Sequence, residues 1–150
     1  MAVQKTDNPI TALQECYRRF WEGFNLYTKD NSAFCKEFNV HPYPSIRPYQ
    51  DYHIGKPFHI TVGVDFKNSE IRVGAYFKNM DSYDFWSQQG KRRLESFMDR
   101  QLIWKRFKTA GSIFTYETAN FSEEHGWENA FIVMVDTMIK MKKAFIEGVK

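Results

Sequence analysis

From Ile10 to Tyr27 apolar residues recur every three or four positions. Ile10, Leu13, Tyr17, Phe20, Phe24 and Tyr27 form one stripe of a helix, widened by Cys16 and Trp21. Asp7-Asn8-Pro9 reads as its start: a capping side chain, then a proline whose missing N–H is not needed there. The polar run Lys29–Ser32 breaks the pattern, and Ser32 is placed to cap a short second helix carrying Phe34, Cys35 and Phe38. At residue 58 the period changes to two. Phe58, Ile60, Val62, Val64 and Phe66 alternate with His59, Thr61, Gly63 and Asp65. Ile71, Val73, Ala75 and Phe77 then alternate with Arg72, Gly74 and Tyr76. That is a hairpin with one apolar face. Closing it over Lys67–Glu70 pairs Phe66 with Ile71 and sets Asp65 against Arg72, Gly63 against Gly74 and Thr61 against Tyr76. Two facing glycines leave a notch. Either a helix or the preceding loop packs into it, or a small ligand enters.

Further along, Asp81 or Ser82 is placed to cap a helix over 83–99, with Trp86, Gly90, Leu94, Phe97 and Met98 on its buried arc. Strands follow at 101–108 and 113–118, joined by the turn Thr109–Ser112. Asn120 or Ser122 can cap a last helix with Trp127, Phe131, Met134, Val135, Met138, Met141 and Phe145 on one face. The order α-α-β-β-α-β-β-α predicts a single α+β domain over residues 1–150, with a largely antiparallel four-stranded sheet of two hairpins packed with helices. Only residues 39–57 show neither period. They hold four of the five prolines and three tyrosines. A loop of this length is either a functional flap or an extended segment packed by its own rings, and we expect the packed segment.

Composition changes this picture in two ways. Aromatic residues are 17% of the chain, so the core is expected to be built from rings, with some free to line an interface or stack on bases. The net charge is +3, yet residues 91–108, KRRLESFMDRQLIWKRFK, hold seven basic and two acidic residues, a net +5. The remainder is therefore net negative, and a pI of about 8.8 falls short of a dedicated nucleic-acid binder. Cys16 and Cys35 make no disulfide framework and read as free thiols of a reducing cytoplasm. The amino terminus has no apolar signal core, and the apolar run Ala130–Val135 is too short to span a bilayer. The expectation is a cytoplasmic chain without a membrane partner.

Few residues suggest chemistry. His41, Asp51, His53 and His59 lack the spacing of a metal site and read as solvated or hydrogen-bonded. There is no nucleophile elbow, phosphate-binding glycine loop or dinucleotide fingerprint. The best catalytic lead is Asp65-Phe66-Lys67 with Asp51 upstream. Two carboxylates could hold Mg²⁺ while the lysine orients a water, as in metal-dependent nucleases. Against it, Lys67 falls in a turn. The basic stretch also divides. Its helical half scatters charge around the axis. In the strand half Leu102, Trp104, Arg106 and Lys108 share one face, and Ile103, Lys105 and Phe107 the other. Arg92, Trp104, Lys105, Arg106 and Lys108 are the candidates for gripping phosphates or a protein partner; otherwise this is a solvated edge strand.

Phe20, Trp21, Arg72, Tyr76, Phe77, Leu94, Glu95, Leu102 and Trp104 together resemble an uncharacterised bacterial family, domain of unknown function 4268, over about residues 15–145. That resemblance implies no established activity. It implies a setting beside nuclease-like domains of restriction or defence factors. It also implies a glycine between Glu95 and the Leu102-x-Trp104 motif, where this chain has Met98-Asp99-Arg100-Gln101. The expectation is a non-enzymatic macromolecule-binding module, for a protein partner or nucleic acid, with no cofactor. The alternative is a small nuclease using Asp51, Asp65, Lys67 and Mg²⁺. The aromatic content is also compatible with a homodimer.

Overall fold

A computed structural model of the chain describes residues 9–122 and 124–147, the side chains of 124–126 and 147 excepted. Helix α1 (Ala12–Lys29) starts later than its stripe suggests, because Thr11 forms a capping box. The Thr11 hydroxyl accepts from the Gln14 N–H, and the Gln14 side chain accepts from the Thr11 N–H. The expected start at Asp7 and Asn8 lies outside the described residues. Asn31, rather than Ser32, caps α2 (Ser32–Glu37) through the Phe34 N–H. Strands β1 (Tyr49–His53), β2 (Phe58–Asp65) and β3 (Glu70–Phe77) follow. Helix α3 (Met80–Phe85) is capped by Asn79, not Asp81 or Ser82. It continues through a π-helical turn (Trp86–Gly90) into α4 (Lys91–Met98). Strands β4 (Ile103–Arg106) and β5 (Gly111–Thr118) precede the final helix α5 (Glu124–Glu147). Asn120 holds Ser122 ahead of α5, and residue 123, next to the helix start, is outside the described set.

The fold is α+β, as the alternating periods predict. Its sheet has five strands rather than four, in the order β1-β2-β3-β5-β4, every neighbouring pair antiparallel. The added strand lies in the proline-rich segment. All its prolines fall outside the strand, so none removes a ladder hydrogen bond. Tethers to the core hold it. Gln50 Nε2 donates to Asn25 Oδ1 at 2.9 Å and to the Tyr52 hydroxyl at 2.9 Å. Trp21 Nε1 donates to the Arg47 carbonyl at 2.8 Å, and the Val64 N–H to the Pro48 carbonyl at 2.8 Å.

The β2–β3 register also differs from the expected one. The strands close as Asp65 opposite Glu70, so Gly63 faces Arg72, Thr61 faces Gly74 and His59 faces Tyr76. The turn chemistry explains the two-residue shift. Asp65 accepts from the Asn68 backbone at 3.0 Å and from its side chain at 2.7 Å, and Ser69 takes a left-handed φ of 54°. Phe66 leaves the ladder and stacks on Tyr17, 5.5 Å between centroids. Because the shift is two and not one, each side chain keeps its expected face.

The helices cover one face of the sheet. Ile60, Val62, Val64, Ile71, Val73, Ala75, Phe77 and Ile113 are buried there, chiefly against α5 and α3. The π-helical turn serves the same core. Trp86, Gly90, Leu94 and Met98 are buried at a spacing of four, which drifts about 40° per step on a regular helix. The wider turn takes up part of that drift. Phe97, expected in the buried arc, is 38% exposed. At the end of α4, Asp99 takes a left-handed position (φ 57°) within Met98–Gln101, the stretch for which the family resemblance implies a glycine, and the Arg100 N–H reaches back to the Glu95 carbonyl at 3.1 Å. Asp99→Gly is therefore expected to stabilise the fold by about 0.5–1 kcal/mol, read as a higher urea midpoint with unchanged slope.

Candidate binding face

No described helix covers the other face of the sheet, and alternate side chains form a groove of about 770 Å³ there. The strand registers place them in transverse rows. One row runs His53, His59, Tyr76, Ser112, Lys105. The next runs Asp51, Thr61, Gly74, Phe114, Ile103. The third runs Tyr49, Gly63, Arg72, Tyr116, and Asp65 and Glu70 close the end. Rows are about 6.6 Å apart and strands about 4.8 Å apart.

Aromatic and cationic groups dominate the third row. The Arg72 guanidinium lies 4.9 Å from the Phe114 ring centroid and 5.6 Å from that of Tyr116. It covers Phe114, which is 4% exposed, while Tyr49 and Tyr116 remain 36% and 41% exposed. Arg47 Nη1 donates to the Tyr49 hydroxyl at 3.0 Å and props that ring. In the other rows His59 lies between His53 and Tyr76, 5.0 and 5.3 Å between centroids.

Asp51 is the half-buried acid of this face. Thr61 Oγ1 donates to its Oδ1 at 2.8 Å, and His59 Nε2 lies 3.5 Å from the same oxygen. Burial pushes its carboxyl up; the His59 and Thr61 contacts and the nearby histidine charge outweigh that, so its pKa falls below the ordinary value. A lowered folded-state pKa means Asp51 stabilises the fold above about pH 4 and that this contribution is lost as the pH falls further. Urea titrations of the wild type and Asp51→Asn should show a stability gap at neutral pH that narrows below about pH 4.

The groups proposed for a nuclease do not converge. Asp51 and Asp65 share this face, but Asp65 lies four residues beyond Thr61 on β2, about 13 Å along the strand. Asp65 is held by Asn68, not by Arg72, and Lys67 is an exposed turn residue. His41 Nε2 contacts the Asp51 carbonyl at 2.6 Å. Among the described residues no three His, Cys, Asp or Glu side chains are grouped as metal ligands would be.

The basic stretch is split as well. Lys105 lies on the open face, its ammonium 5.7 Å from the Phe107 ring. Trp104 and Arg106 point to the helix side. Arg106 is ion-paired with Asp84. Trp104 is half-buried; its Nε1 donates at 3.1 Å to Glu95 Oε2, which also accepts the Leu102 N–H at 2.8 Å. Arg92 and Lys108 are exposed on α4 and in the β4–β5 turn. Of the residues behind the family resemblance, Phe20, Trp21, Phe77, Leu94, Glu95, Leu102 and Trp104 thus serve the core and the α4–β4 junction, while Arg72 and Tyr76 project onto the open face. Tyr49 and Tyr116 carried no distinguishing signal in the sequence, since nothing there showed which face would lack a cover.

Cys16 and Cys35 are free thiols, and no described helix is long and apolar enough to cross a membrane. No curated protein and no solved structure matches the chain. The model of the family described as a domain of unknown function, DUF4268, matches residues 16–148, and the chain belongs to that family.

Proposed function

We propose that the chain is a non-enzymatic module that binds single-stranded nucleic acid on the open face of its sheet. The row Tyr49, Gly63, Arg72, Tyr116 carries this reading. Half-exposed rings and a guanidinium at strand spacing match how splayed bases stack on open sheets. Arg72 and Lys78 line the groove, Lys105 extends its first row and Arg47 reaches the Tyr49 hydroxyl at its edge, all available for phosphate contact, and the acidic pair Asp65 and Glu70 is confined to one end. A protein-binding patch would be depleted of charge at its centre, whereas this centre holds Arg72 and Asp51. Duplexes hide the faces that would stack. Lys105 is retained from the basic stretch; Trp104 and Arg106 are engaged elsewhere.

In this reading the module works in the cytoplasm as an accessory to a nuclease or defence system whose catalysis comes from another chain. Fluorescence anisotropy with RNA and DNA strands of about 12 nucleotides tests it. Binding at low salt should weaken with a log–log slope of about −2 to −3, for three or four phosphate contacts, and a duplex should bind less tightly. No binding of single strands at low salt would sink this reading and leave a protein partner.

A further inference from the structure

An open sheet ends in two edges, where a further strand can be added. In the order β1-β2-β3-β5-β4 they are β1 and β4. The β1 edge is closed at its centre. His41 Nε2 lies 2.6 Å from the outward Asp51 carbonyl, and the His41 ring packs on Tyr52, 4.4 Å between centroids. The β4 edge is open. The Phe107 N–H donates to the Ala110 carbonyl at 2.8 Å, so in this register Ile103, Lys105 and Phe107 hold the hydrogen-bonded positions facing β5. The N–H and C=O groups of Trp104 and Arg106 point the other way, and among the described residues none of these four groups has a hydrogen-bond partner. Neither a proline nor a bulge interrupts β4. Beside the edge, Ile103 and Phe107 are each 42% exposed.

We propose that the β4 edge takes up an extended segment of a protein partner as an added strand, one that reads apolar-x-acid-x-apolar. The backbone specifies an extended peptide, because alternating donors and acceptors are matched by another strand. A phosphate only accepts, and leaves both carbonyls unmatched. The side chains specify the sequence. Ile103, Lys105 and Phe107 follow one another along the open face, so an acid lies across from Lys105 and apolar residues lie across from the other two. Charge around the edge agrees. Arg106 is paired with Asp84, and Glu95 is engaged by Leu102 and Trp104. Among the described residues Lys105, Lys108 and Lys91, the last 5.8 Å from the Trp104 ring, have no acidic partner. A second copy fits worse: centred antiparallel pairing of two β4 strands sets Lys105 against Lys105. The edge is separate from the row Tyr49, Gly63, Arg72, Tyr116, so either site can fail without the other.

The test is amide exchange of the ¹⁵N-labelled full chain with the capped peptide Ser-Val-Thr-Glu-Thr-Val-Ser. With the peptide at about ten times its dissociation constant, exchange at Trp104 and Arg106 should slow about tenfold. The same peptide with Lys in place of Glu should bind about tenfold more weakly. Arg106→Ala removes a charge but keeps the outward N–H; Arg106→Pro also removes that donor, and no ladder bond. With native circular dichroism, Arg106→Pro should bind roughly three- to tenfold more weakly than Arg106→Ala. If Arg106→Pro does not fold, exchange in the wild type decides. No binding at about 1 mM peptide, or binding without slowed exchange at these two amides, overturns the added strand. Slowed exchange there on raising the concentration of the chain alone gives the edge to a second copy and overturns the partner.

Discussion

Phe20→Ala is expected to destabilise the protein by about 3–5 kcal/mol, much of the stability of a typical domain. Phe20 is fully buried, and its ring meets Trp21, Phe66, Phe121, Trp127 and Phe131 at 5.0–5.7 Å between centroids. It therefore joins α1 to the β2–β3 turn, the segment before α5 and α5 itself. Truncation opens a cavity among rings too rigid to collapse into it. The urea midpoint should fall sharply. Leu13→Ala, on the same helix but at a side chain 53% exposed, should stay within about 0.5 kcal/mol. Equal losses at the two positions would contradict the assignment of the core.

Arg72→Ala is the largest expected effect on binding. The guanidinium lies in the middle of the open face over Phe114 and beside Tyr116. Its loss removes one stacking plane and one phosphate contact, so single-strand affinity should drop by about 10–100-fold. The side chain is exposed, and the native melt should survive. Replacing Arg92 and Lys108 with alanine removes two charges from the stretch richest in basic residues but none from this face. That double variant should lose less than about threefold. A larger loss from the double variant than from Arg72→Ala would move the binding surface to α4 and the β4–β5 turn.

The periods of three to four and of two revealed the helices, the first hairpin and the apolar side of the sheet, because burial on one face imposes those periods directly. β1 was hidden. Its five residues are flanked by prolines, and it is held by Gln50, Asn25 and Trp21, partners 25 or more residues apart in sequence. The register was hidden for a different reason. Alternation fixes the face of a strand, not its pairing, and the Asp65–Asn68 turn decided the pairing. On the open face, Arg72 and Tyr76 could be placed on the polar side of the hairpin from the sequence. Their neighbours Tyr49 and Tyr116 could not, since they come from strands brought alongside only by the β1-β2-β3-β5-β4 order. The density of charge at 91–108 drew attention to a segment whose Trp104 and Arg106 are tied into the fold by Glu95 and Asp84.

The central claim is that the uncovered sheet face is where nucleic acid binds. Amide chemical-shift mapping of the ¹⁵N-labelled chain on titration with a single-stranded RNA tests it most directly. The expected perturbations centre on Tyr49, Asp51, Thr61, Gly63, Arg72, Tyr76 and Tyr116. Perturbations centred instead on α4, Arg106 and Lys108, with the open face unchanged, would contradict it.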